Sequence, residues 1–184
     1  MIGGFGEYLE VAYTWGTAPD ERSRRFPCDR LLPDHSAAYF RGITVGASPA
    51  VLFSWLCQLR VAAYSYDWVS HPARRSPRLL DSTLQEIAVG QTVMDVFELV
   101  EFEPDRHLTL RLRTPGFYPP LAVSYVIVPL SAASCRLLVK LIVSFRRTWR
   151  DGVARAVAPW LDWVMMRRQL LNLKALAERT QRSG

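Results

Sequence analysis

The acid in the most reactive setting is Asp67, carried in the run Tyr64-Ser65-Tyr66-Asp67-Trp68. Turned toward an apolar interior, its carboxyl would be pushed up by desolvation, and with Tyr66 it would supply acid/base chemistry to a bound molecule. Strand alternation argues the other way. It places Tyr64, Tyr66 and Trp68 on one face and Ser65, Asp67 and Val69 on the other, which makes Asp67 an exterior acid with Arg74 or Arg75 as partners. The aromatics are then core or pocket wall. His35, His71 and His107 stand in separate segments, with no Cys or carboxylate at a spacing suited to a metal. No phosphate-binding loop, dinucleotide fingerprint or G-x-S-x-G is present, because Gly3-Gly4-Phe5-Gly6 has no strand before it. The residue types therefore call for no metal and no cofactor, and with one or two titratable candidates they weigh against an enzyme.

The bulk composition sets the frame for that chemistry. A chain of 184 residues fits one domain with a real core, and 49% hydrophobic with 22% charged residues argues against disorder. Cys28, Cys57 and Cys135 are scattered and odd in number, which suggests reduced thiols in a cytoplasmic protein. The first ten residues lack a basic stretch followed by an apolar run, so no secretion signal is expected. The net charge of +6 is concentrated at one end: residues 146–184 hold nine bases and three acids. This would suit an anionic partner such as nucleic acid or lipid headgroups, but without an accompanying nucleic-acid motif it reads as the solvated back of an amphipathic helix and not as a nucleic-acid surface.

The elements that must position any site follow from periodicity. Val153 to Gln181 has helical spacing, with Trp160, Trp163, Val164, Met166, Leu170, Leu171, Leu173 and Ala177 on a broad apolar face. Asp162, Arg167, Arg168, Lys174 and Glu178 are expected on the opposite side, with a start or kink at Pro159. Upstream, strands are expected over Ala38–Val45, Ala62–Val69, Thr92–Val96, Phe97–Phe102, His107–Thr114, Leu121–Leu130 and Cys135–Phe145. Ser48-Pro49 should open a helix running to about Leu59. Leu121–Phe145 is the most apolar stretch, but Pro129, Arg136 and Lys140 interrupt it, so a hairpin and not a membrane span is expected. Residues 1–37 read as an extension packed on a domain of residues 38–184. The long connection Ser70–Glu86 reads as a lid or binding rim.

Ser48-Pro49-Ala50-Val51, Trp55-Leu56-Cys57-Gln58-Leu59, Tyr64-Ser65-Tyr66-Asp67-Trp68, Val89-Gly90-Gln91 and Glu101-Phe102-Glu103-Pro104 follow one another at fitting distances. Together they resemble the START-type helix-grip superfamily (SRPBCC), in its bacterial polyketide cyclase/dehydrase and lipid-transport branch. Thr14-Trp15-Gly16-Thr17 and Leu31-Leu32-Pro33 resemble an N-terminal extension of that branch. The resemblance implies an α+β fold, with a curved antiparallel sheet of about seven strands gripping a long C-terminal helix around a hydrophobic cavity. The expectation is then a hydrophobic small-molecule partner, lipid or polyketide-like, bound without catalysis. Its wall would include Tyr66, Trp68, Leu110, Leu112, Tyr125, Trp160 and Val164. The alternative is a cyclase or aromatase using Tyr66 or Asp67. Tyr125 and Ser124 lie on a strand apolar on both faces, so alternation leaves open which of them points inward.

Overall fold

A computed structural model describes residues 10–65, 76–113, 118–146 and 148–183. Six strands form one antiparallel sheet: β1 (Ala37–Val45), β2 (Thr92–Val93), β3 (Phe97–Glu103), β4 (His107–Leu112), β5 (Leu121–Ser131) and β6 (Ser134–Val143). Their spatial order is β1-β6-β5-β4-β3-β2, so the first and last strands pair. The apolar stretch from Leu121 is indeed a hairpin, turned at Ser131 and Ser134, whose hydroxyl oxygens lie 2.7 Å apart. Between β3 and β4 the turn at Glu103–Arg106 closes with the Arg106 N–H donating to the Glu103 carbonyl at 3.1 Å.

The expected seventh strand, over residues 62–69, is absent from its described part. Tyr64 has a positive φ of 52°, which a strand does not accommodate. The carbonyls of Ala63, Tyr64 and Ser65 accept side-chain bonds from Gln169, Asn172 and Arg168 in place of a strand partner. β2 also ends after two residues, because Met94 and Asp95 turn the chain with positive φ.

Among the described residues four α-helices accompany the sheet: α1 (10–14), α2 (Pro19–Arg22), α3 (Pro49–Cys57) and α4 (Trp149–Ser183). Ser48 caps α3, its hydroxyl accepting from the Val51 N–H at 3.4 Å, and Pro49 occupies the first turn. α4 starts earlier than its periodicity suggested and runs through Pro159 without ending there. The missing proline N–H removes a single intrahelical bond, and the helix continues for more than two turns on either side.

α4 buries Met166, Leu170, Leu173 and Ala177 against the inner sheet face and α3. Each fully buried leucine contributes about 1.5–3 kcal/mol, against about 1 kcal/mol for a neutral hydrogen bond. Apolar contact thus holds the helix, while polar contacts set its position along the sheet. At its C-terminal end Glu178 accepts from the Gly46 N–H (2.8 Å), Gln181 accepts from the Ser48 N–H (2.9 Å), and Trp55 Nε1 donates to Thr180 (3.1 Å).

The outer sheet face is covered by the N-terminal segment. Phe26, Cys28, Leu31 and Leu32 pack on Phe40, Ala122, Leu138 and Ile142. The Cys28 N–H donates to Ser124 Oγ at 2.9 Å, so Ser124 points outward and Tyr125 inward. Trp15-Gly16 docks on the free edge of β1, where the Gly42 N–H donates to the Trp15 carbonyl at 3.0 Å. Arg136 crosses the outer face at Gly42 to reach the Gly16 carbonyl and both oxygens of Glu21. A Cβ on Gly42 would lie 2.8 Å from the Gly16 oxygen and 2.9 Å from Arg136 Nη2, so the crossing requires glycine.

Candidate functional site

A polar constellation sits on the inner face, between the sheet and the first half of α4. Alternation along β1 turns Tyr39, Arg41, Ile43 and Val45 toward the helix. Register then aligns Arg41 with Val139 of β6, and Val139 with Tyr125 of β5. Arg41 and Tyr125 therefore stand in one cross-sheet row, two strands or about 10 Å apart. From the helix, Asp162 and Gln169 project into this row on the same side as Met166 and Leu173.

Arg41 is 1% exposed and joins three elements. Its Nη2 donates to Asp162 Oδ2 at 2.6 Å and to the Ala12 carbonyl of α1 at 2.8 Å, and its Nη1 donates to the Phe40 carbonyl at 2.8 Å. Nη2 also lies 3.4 Å from the Pro159 carbonyl of α4. The Tyr125 hydroxyl donates to Gln169 Oε1 at 2.8 Å, and Gln169 Nε2 donates to the Ala63 carbonyl at 2.6 Å. Among the described residues, the buried donors without a partner include the Tyr39 hydroxyl and Arg41 Nε. The Tyr39 ring lies between Tyr13, edge-on at 5.4 Å between centroids, and the Arg41 guanidinium, 5.9 Å from its centroid.

Burial dominates the protonation equilibria here. It pushes the Asp162 carboxyl up to about 6, against the opposing pull of Arg41, and lowers Arg41 from the usual guanidinium range. Both shifts disfavour the charged forms, so desolvation outweighs the attraction within the pair. Burial also raises Tyr39 to about 12 and Tyr125 further, with the Asp162 charge adding to both. The site thus combines a carboxyl that titrates near neutrality, a guanidinium with a spare donor, and two phenols that stay protonated.

The expected wall residues scatter. Leu110, Leu112 and Tyr125 are buried on the inner face. Trp160 and Val164 are 37% and 39% exposed, on the side of α4 turned away from Met166 and Leu173. Asp162 lies on the inward side and not on the solvated back, because the apolar face assigned from the sequence was drawn too wide. Tyr66, Asp67, Trp68 and His71 fall outside the described residues, as does part of the Ser70–Glu86 connection. His35 and His107 engage the Leu32 carbonyl and Glu101, and no metal-binding cluster occurs among the described residues. All three cysteines are free and buried, and desolvation raises each to about 11. A cleft of about 480 Å³ opens elsewhere, between α3, residues 85–87 and the β3–β4 turn, with Phe53, Ile87, Phe102 and Asp105 among its lining.

Sequence reasoning missed Tyr39, Arg41, Asp162 and Gln169. A signal existed for two of them: at 100° per residue, Asp162, Met166, Gln169 and Leu173 form one line.

The fold is a helix-grip fold, α+β with a curved antiparallel sheet and a long C-terminal helix. Among solved structures, the chain is similar to the Zhui aromatase/cyclase from a Streptomyces species, at 17% identity and a TM-score of 0.54, over 77% of this chain and 93% of that one. It is also similar to a protein from Arthrobacter aurescens, at 11% identity and a TM-score of 0.51, over 77% and 86%. No protein-family profile and no curated protein matches the sequence. No helix among the described residues is long and apolar enough to cross a membrane.

Proposed function

We propose that this protein binds a hydrophobic small molecule between the inner sheet face and α4, without catalysis, and that Tyr39 and Arg41 hold the ligand's polar group. The observation that carries this reading is the pair of buried donors, Tyr39 Oη and Arg41 Nε, left without partners beside each other on β1. An unsatisfied buried donor costs about 1–3 kcal/mol, a penalty that an incoming acceptor relieves. Arg41 and Asp162 together are neutral when both are ionised, so the matching group is an uncharged acceptor such as a ketone or ester carbonyl. Leu108, Leu110 and Val123, buried with Tyr125 in the core, would surround the rest of such a molecule with apolar side chains. Native purification followed by denaturing-release mass spectrometry tests the reading, together with thermal shifts using long-chain fatty acids, sterols and aromatic ketones. A shift with carbonyl-bearing apolar compounds that weakens in Tyr39→Phe supports it. The absence of a shift with every apolar class overturns it.

A second reading, a polyketide cyclase or aromatase-like enzyme in the same space, is favoured by Asp162. A carboxyl that titrates near 6 beside two protonated phenols is equipped to move a proton at a bound carbonyl compound. It requires turnover whose rate changes as the pH passes through about 6. Binding without turnover across that range returns the decision to a carrier.

A further inference from the structure

The first half of α4 carries a second apolar surface, on the side turned away from the sheet. Val153, Val157, Trp160, Leu161, Val164 and Leu171 are between 37% and 60% exposed. At 100° per residue they form one stripe, opposite the Met166–Leu173 seam, and at 1.5 Å per residue it runs for about 27 Å. Isolated exposed apolar residues are ordinary, but a continuous stripe of this kind marks an interaction surface. Arg167 flanks it with its guanidinium 5.8 Å from the Trp15 ring centroid. Arg168 lies within its angular span and donates Nε to the Ser65 carbonyl, and Arg182 continues its line, all three arginines being exposed. Residues 146–184 hold nine bases against three acids, and two of those acids are engaged elsewhere. Asp162 is turned inward to Arg41, and Glu178 is held by Lys174 and the Gly46 N–H.

We infer that this face of α4 docks on a lipid surface bearing anionic headgroups. Aliphatic side chains and Trp160 enter the headgroup boundary while the flanking arginines meet the anionic groups, as in helices that lie in the plane of an interface. The charge decides between occupants. A second copy would bring a net-positive helix against itself, whereas an anionic bilayer neutralises it. The site is separate from the interior constellation, so its success or failure leaves the ligand-binding reading standing or falling by itself.

The test is cosedimentation of the full chain with vesicles of phosphatidylcholine alone and of phosphatidylcholine mixed with phosphatidylglycerol. Expected is binding to the mixed vesicles only, with a blue shift of tryptophan emission and loss on added salt. Arg167→Gln and Arg182→Gln each weaken it about fivefold. The double variant Leu161→Asn/Val164→Asn abolishes it with an unchanged thermal melt, while the interior variant Tyr39→Phe has no effect. The inference is overturned by binding to neither vesicle, by equal binding to both, or by arginine variants that bind like the parent. It is also overturned by a concentration-dependent dimer that the apolar double variant abolishes in the absence of vesicle binding.

Discussion

Arg41 and Asp162, 121 residues apart in the chain, meet at 2.6 Å between the edge strand β1 and the long helix α4. The same guanidinium holds a carbonyl of α1, so a single side chain joins the N-terminal segment, the sheet and the C-terminal helix.

Removing one partner leaves an uncompensated buried charge. Asp162→Asn is expected to cost about 3–5 kcal/mol, whereas the double variant Arg41→Met/Asp162→Leu recovers most of that loss. Urea unfolding of the single and double variants measures it. A double variant no more stable than Asp162→Asn would show that the pair is worth more than its desolvation.

Asp162 also makes stability depend on pH. Its folded pKa, about 6, lies above the ordinary value of 3.8, so between these values the folded chain binds the extra proton. Its contribution is fully present below about pH 4 and is lost as the pH rises through about 6. The carboxyls of Glu21 and Glu101, held below their usual range by Arg136 and Arg30, act in the opposite sense and lose their contribution only as the pH falls below the ordinary carboxylate value. Denaturant midpoints should therefore decline from about pH 5 to 6 in the parent and stay flat there in Arg41→Met/Asp162→Leu. A midpoint that rises across that window in the parent contradicts the assignment.

Tyr39→Phe should leave stability unchanged or raise it by about 1 kcal/mol, since the hydroxyl it deletes is buried without a partner. Tyr125→Phe, by contrast, should cost about 1–2 kcal/mol by orphaning Gln169 Oε1. Paired thermal melts separate the two. Equal losses would mean that Tyr39 is satisfied in solution.

Gly42→Ala is expected to loosen the N-terminal cover at a cost of about 1–3 kcal/mol, because its methyl meets the Gly16 carbonyl and Arg136. Limited proteolysis should then cut within residues 18–36 before the remaining chain unfolds. An unaltered digestion pattern would place the anchoring elsewhere.

What the sequence determined was local structure where a single period ran unbroken. Alternation in Leu121–Val143 wrote the hairpin, Ser48-Pro49 wrote the start of α3, and apolar spacing from Met166 to Ala177 wrote the buried seam of α4, since each depends only on backbone period and neighbouring residues. Which side of α4 beyond that seam faces the sheet was not legible. Apolar residues lie on both sides of its first half, and only packing against β1 turns Asp162 inward and Trp160 and Val164 outward. Nor could alternation decide the segment after α3, where Gln169 and Asn172, more than a hundred residues later, take the carbonyls that a strand would need. The inward Arg41 likewise reads as an ordinary charge on an edge strand until α4 supplies its carboxylate. Partnerships of this kind are made by tertiary contact between distant residues, and no local period encodes them.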